Sequence, residues 1–120
     1  MAEKVLGYSR LCKRVMDLDG QIRFAGVIND LGRLVAGGMR PGVEPLETEK
    51  DDEMLYMELA LRVRMRQEFD RQLGAVNFAM ASRKRALTMS FKMDDHILYV
   101  AAEPDADYCT LPKLILGTLR

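Results

Sequence analysis

Alternation of apolar and polar positions is clearest between Ala86 and Met93: Leu87, Met89, Phe91 and Met93 fall on one side, Ala86, Thr88, Ser90 and Lys92 on the other. A period of two marks a strand with one buried face. The longer stretch from Ala75 to Glu103 holds three such runs, separated by a basic break and an acidic one. It predicts a three-stranded antiparallel meander whose first strand is Val76 to Ser82. The rest of the chain reads as elements that extend or cover this meander.

Upstream the period lengthens. Tyr8, Leu11, Cys12, Val15, Met16 and Leu18 recur at three- and four-residue steps, predicting a helix from Leu6 to Asp19 that Gly20 ends. Ile22 to Ile28 is rich in strand formers, and Asn29-Asp30-Leu31-Gly32 separates it from a short run, Arg33 to Ala36. This predicts a β-hairpin whose pairing stops at Ala36-Gly37-Gly38, where side chains to pack are lacking. Arg40 to Asp52, with Pro41, Gly42 and Pro45, is a loop.

A long helix follows from about Lys50 to Gln72, with Met54, Met57, Leu61 and Met65 on one line and Leu55, Leu59 and Val63 beside it. Together these make one broad apolar face. Acids at its start and arginines in its second half suit the helix dipole, and Gly74 ends it. After the meander, Pro104 to Asp107 is a turn. Thr110 caps a last helix with Pro112 in its first turn and Leu111, Leu114, Ile115 and Leu119 as its buried face.

Composition narrows the class. A chain of 120 residues, 48% apolar and 30% charged, is expected to form a single domain over residues 1–120 with a real core. Lys plus Arg and Asp plus Glu are both 18, so no surplus of cations exists to neutralise phosphates, and no nucleic-acid partner is expected. No apolar run reaches the ~20 residues that span a bilayer, and the N-terminus has no signal-peptide core. The expectation is a cytoplasmic protein with no membrane insertion. Cys12 and Cys109 lack zinc-ligand neighbours and read as reduced thiols packed as small hydrophobes. No metal and no cofactor are expected.

Candidate chemistry is sparse. Asp94-Asp95-His96 joins two carboxylates to the sole imidazole, but neighbouring strand residues point to opposite faces, so the tight-turn reading is preferred to a metal or acid/base site. Asp17-Leu18-Asp19-Gly20 begins like a calcium loop, yet the twelfth residue is Ile28 rather than Glu. Gly32 to Arg40 has glycines near two arginines but no Lys-Ser/Thr ending, which leaves a strand end with bulged glycines, or a ligand or partner loop at Gly37, Gly38 and Arg40. Arg62, Arg64, Arg66, Arg71, Arg83, Lys84 and Arg85 follow an acidic segment from Glu44 to Glu58. Such polarity steers a charged partner or stays a solvated face. Phe69 and Phe78 read as core, and the nine methionines as core or adaptable interface. No catalytic residue stands out, because no nucleophile has an identifiable base partner.

The hairpin IRFAGVINDLGRLVAGG, and the meander ending HILYVAAEPDAD before a last helix, resemble the roadblock/LC7 family of profilin-like domains over Leu6 to Leu119. More narrowly, LCKRVMDLDGQIRFAGVINDLGRLVAGGMRPG looks like the opening of a small uncharacterised family from ammonia-oxidising archaea. The roadblock resemblance implies an α/β (α+β) fold in the order α-β-β-α-β-β-β-α. Its five-stranded antiparallel sheet would carry the long helix on one face and the terminal helices on the other. It also implies homodimers or heterodimers made through the long helix and the following edge strand, and service as a scaffold or regulator of small GTPases.

On this sequence the expected homodimer surface is Met57, Leu61, Met65, Val76, Phe78 and Met80. An unpaired edge strand with apolar side chains needs a partner, and a second copy is the simplest. The alternative is a PAS- or profilin-like small-molecule sensor with its cavity under the Pro41 to Asp52 loop, near Gly37, Gly38 and Arg40.

Overall fold

The computed structural model describes residues 2–120. Its elements are α1 (Ala2–Met16), β1 (Ile22–Asn29), β2 (Leu34–Met39), α2 (Glu49–Gln67), α3 (Asp70–Leu73), β3 (Ala79–Ser82), β4 (Leu87–Lys92), β5 (His96–Ala102) and α4 (Leu111–Leu119). The strands form one antiparallel sheet in the order β2-β1-β5-β4-β3. β1 and β5 are therefore central, and β2 and β3 are edges.

The sheet separates two cores. On one face, Leu11, Cys12 and Val15 of α1 and Leu111 and Ile115 of α4 meet Val27, Leu87, Met89, Phe91, Leu98 and Val100. On the other, Tyr56 and Ala60 of α2 meet Phe24, Ile28, Ile97 and Tyr99. Alternation assigns the faces: Met89, Phe91, Leu98 and Val100 point to α1 and α4, while Ile97 and Tyr99 point to α2. Phe91, Leu98 and Ile115 are fully enclosed, each contributing about 1.5–3 kcal/mol of apolar burial.

Helix α1 ends three residues before the expected Asp19. Its last turn tightens as Leu18 N–H donates to Val15 O at 3.0 Å, and the Arg40 guanidinium takes the Met16 carbonyl at 2.7 Å. Gly20, the expected stop, has no positive φ. Pairing of β2 does not stop at the glycines: Gly37 faces Gly26, Gly38 faces Ala25, and the ladder runs on to Met39. The irregularity lies one step earlier, where Val27 pairs with Ala36 but Ile28 with Leu34.

The expected helix to Gln72 is also broken. Glu68 and Phe69 N–H groups donate three residues back, to Met65 and Arg66, and Phe69 leaves helical dihedrals before α3 begins. Gly74, at φ +82°, is the stop before the meander as expected, but it closes the short α3 rather than the long helix. The start of α2 carries a reciprocal cap, with Asp51 N–H on Thr48 Oγ1 at 3.2 Å and Thr48 N–H on the Asp51 carboxylate at 3.5 Å. At α4 the cap is not the Thr110 side chain. Asp107 accepts from the N–H groups of Cys109 and Thr110 at 3.0 and 3.2 Å; the Thr110 side chain foremost, then these two N–H groups, hold its carboxyl below the ordinary range. Leu114, placed on that helix's buried face, is exposed.

Candidate functional site

Helix α2 is apolar on two opposite sides. Successive residues turn by about 100°, so Tyr56, Leu59, Ala60 and Val63 fall on one side and Met54, Met57, Leu61 and Met65 on the other. The first set packs on the sheet. The second faces solvent, with Met57 60%, Leu61 57% and Met65 60% exposed. The single broad face expected from the spacing is thus two faces, because the sheet covers only one side of the helix. The outward stripe continues into exposed Phe69 and Leu73, so Phe69 is not the core residue that the sequence suggests.

The edge strand β3 is shorter than expected and begins at Ala79 rather than Val76. Phe78 leaves the ladder and lays its ring 6.0 Å from that of Phe91. Met80 pairs across from Met89, and both Phe78 and Met80 pack against the core on the α1 and α4 side. They do not share a face with Met57, Leu61 and Met65. The expected surface is therefore divided by the sheet, leaving only Val76 exposed among its three strand-side residues. On the α2 side β3 presents Ala79 and Ala81, small side chains beside an open groove lined by Glu58, Arg62 and Arg66 of the helix. β3 has a strand neighbour on one side alone, so its other edge is free to pair.

Gly37, Gly38 and Arg40 serve the fold. A Cβ at Gly37, which has φ +86°, would collide with Ala25 O and sit 2.8 Å from Cys12 Sγ, so β2 and α1 close over a position only glycine occupies. Arg40 donates through Nε to Ile22 O at 2.7 Å and through Nη2 to Met16 O at 2.7 Å and Asp19 O at 2.8 Å. That guanidinium ties the end of α1 to the start of β1 and is no free anion ligand. A cleft of about 410 Å³ does lie under the second half of the 41–52 loop, but it is lined by Leu46, Glu47, Asp52, Tyr56, Tyr99 and Arg83 among others, and not by Gly37, Gly38 or Arg40.

Asp94 and Asp95 form the tight turn between β4 and β5, closed by Met93 N–H on His96 O at 2.9 Å. His96 Nδ1 lies 2.7 Å from Asp95 and 3.3 Å from the Tyr8 hydroxyl, and Lys4 reaches Asp95 at 3.6 Å. The bond to His96, aided by Lys4, holds the Asp95 carboxyl below its ordinary value. The cluster pins the hairpin to α1, and no group able to hold a metal occurs among the described residues. Cys12 is buried, its thiol pushed up to about 11 by burial, whereas Cys109 is exposed in the Asp107–Thr110 turn, contrary to expectation. Arg62 pairs with Glu58 one turn earlier at 3.3 Å, both half exposed, a geometry worth little. No helix among the described residues is long and apolar enough to cross a membrane.

Comparison with known proteins gives a fold and a family. No curated protein sequence matches. The model of a family of unknown function (DUF6659) matches residues 2–119. Among solved structures, the roadblock/LC7 domain from Streptomyces avermitilis is 13% identical with a TM-score of 0.67, covering 93% of each chain. The gliding protein MglB from Thermus thermophilus is 14% identical with a TM-score of 0.71, covering 98% of this chain and 86% of its own. A Schizosaccharomyces pombe profilin is 11% identical with a TM-score of 0.64, covering 93% and 92%. At such identities the likeness is one of fold, and it bears out the roadblock- and profilin-like α+β architecture.

Proposed function

The chain belongs to the family of unknown function DUF6659, and from that premise we propose that it is a non-enzymatic interaction module of roadblock type that pairs with a second copy of itself. The surface is the outward stripe of α2, Met54, Met57, Leu61 and Met65, together with the free edge of β3 and Val76. Phe78 and Met80 support it from beneath the sheet. The observation that carries the reading is a helix whose solvent side is as apolar as its buried side, since a contiguous exposed apolar patch marks an interaction surface. Two β3 edges meeting across a two-fold axis would set the two stripes beside each other.

The likeness to a roadblock/LC7 domain and to MglB supports an interaction or regulatory role over an enzymatic one. In this reading the chain acts as one domain over residues 1–120, in the cytoplasm of an archaeon, on a protein partner of the small-GTPase class that the resemblance suggests. Molar mass by light scattering tests the pairing. The native chain runs as a dimer at micromolar concentration, and Leu61→Asp runs as a monomer with unchanged circular dichroism. A native monomer, or a dimer that survives the substitution, overturns the proposal. Co-elution with a purified nucleotide-loaded GTPase tests the finer assignment.

A further inference from the structure

The cleft of about 410 Å³ beneath the inner side of α2's first turns lies on the opposite side of that helix from the outward stripe. Its size falls within the ~300–1,000 Å³ usual for small-molecule sites. Phe24, Tyr56 and Tyr99 form its floor, with ring centroids 5.5–6.1 Å apart. Glu47, Asp51 and Asp52 stand at one wall, Arg83 and Arg85 at another.

Two features of this cleft point to a ligand. Tyr56 and Tyr99 are 6% and 4% exposed, and among the described residues neither phenol oxygen has a hydrogen-bond partner, although neither is sealed off. Both hydroxyls lie in the field of the acidic wall. Burial first, then Asp52 and Glu47, raise the Tyr56 phenol, and burial, then Glu47, do the same for Tyr99, which Arg83 opposes. Both phenols therefore stay neutral, each with an oxygen free to accept a hydrogen bond. At the walls, Asp51 is engaged by the Thr48 N–H, while none of Glu47, Asp52, Arg83 and Arg85 belongs to an ion pair among the described residues; Asp52 is partly buried and the other three reach solvent. Arg23, also at the rim, is already held by Glu103 and the Glu44 carbonyl.

We infer that this cleft binds a small zwitterion of the α-amino acid class with an apolar side chain. Its ammonium group meets Glu47, Asp52 and the phenol oxygens, its carboxylate meets Arg83 and Arg85, and its side chain lies on the aromatic floor. A guanidinium suits a carboxylate because it offers parallel donors, and an ammonium relieves the mutual repulsion of the acids. A ligand carrying only one charge leaves the opposite wall without a partner. This assignment stands whether or not the outer face of α2 joins two copies.

Titration calorimetry with three probes tests it: L-phenylalanine, phenethylamine, which lacks the carboxylate, and 3-phenylpropionate, which lacks the ammonium. L-Phenylalanine is expected to bind at least tenfold more tightly than either single-charge probe. Asp52→Asn is expected to erode its advantage over 3-phenylpropionate, and Arg83→Ala its advantage over phenethylamine, with both variants retaining native circular dichroism. Tyr99→Phe, which keeps the ring, weakens L-phenylalanine without abolishing folding. No binding of L-phenylalanine at millimolar concentration, or equal binding of L-phenylalanine and phenethylamine, overturns the inference.

Discussion

Replacing Arg40 by Met distinguishes a structural arginine from a ligand-binding one. Three carbonyls lose a charged donor: Met16 O at the end of α1, Asp19 O in the turn, and Ile22 O at the start of β1. Asp19 O keeps the Ile22 N–H at 3.1 Å, so two acceptors lose the most. A hydrogen bond to a charged group is worth about 1.5–3 kcal/mol. Partial hydration of the freed carbonyls discounts the sum, leaving an expected loss of about 3–5 kcal/mol. Against a total stability of about 5–15 kcal/mol this is a large share. Urea unfolding followed by far-ultraviolet circular dichroism reads the loss as a lower midpoint at unchanged slope. Arg40→Lys, with a point charge in place of a planar fork, recovers less than half of it. A loss below about 1 kcal/mol would refute the reasoning and return the guanidinium to the ligand-loop reading.

Three further outcomes follow from the geometry. Gly37→Ala forces a left-handed backbone on a Cβ that collides with Ala25 O, so urea unfolding should show a loss of at least about 2–3 kcal/mol. Phe78→Ala removes a half-buried ring beside Phe91; it should cost about 1.5–3 kcal/mol while light scattering shows an unchanged molar mass. Asp52 is held above the ordinary 3.8 by burial and by Glu47, Asp51 and Glu49, so the folded chain holds this proton more tightly than the unfolded one. Its ionised form then disfavours folding, and stability falls as pH rises from the unfolded value through the raised one. Asp52→Asn should therefore raise the melting temperature at pH 7, with the gain shrinking on acidification through that window.

Much of the fold was legible because it depends on local chemistry. The alternation of Leu87, Met89 and Phe91 against Thr88 and Ser90 placed β4. The Asn29 to Gly32 run placed the first hairpin, where the Asn29 side chain accepts from the N–H groups of Leu31 and Arg33, both at 3.0 Å. Gly74 marked where helix stops before the meander, although the break that makes α3 a separate turn was not legible. Thr48-x-x-Asp51 ahead of an apolar-periodic run is an equally local signal and would have set the start of α2. The exchange from Thr110 to Asp107 as the α4 cap is a shift between two good capping residues three positions apart.

The sequence by itself determined that α2 has apolar lines at helical spacing and that β3 is followed by two strands. These are consequences of side-chain type and period, which act within a few residues. Which line of α2 meets the sheet was decided by tertiary packing, because a helix with two opposite apolar sides gives no preference until one side is covered. The placement of Phe78 and Met80 beneath the sheet follows from register with Met89, a contact between strands that period alone cannot orient. Arg40 became a clamp only when the ends of α1 and β1 brought three carbonyls within reach, and the cleft at Tyr56 and Tyr99 exists only where α2, the loop and the sheet meet. Positions far apart in sequence create these features, so their chemistry is a property of the folded chain.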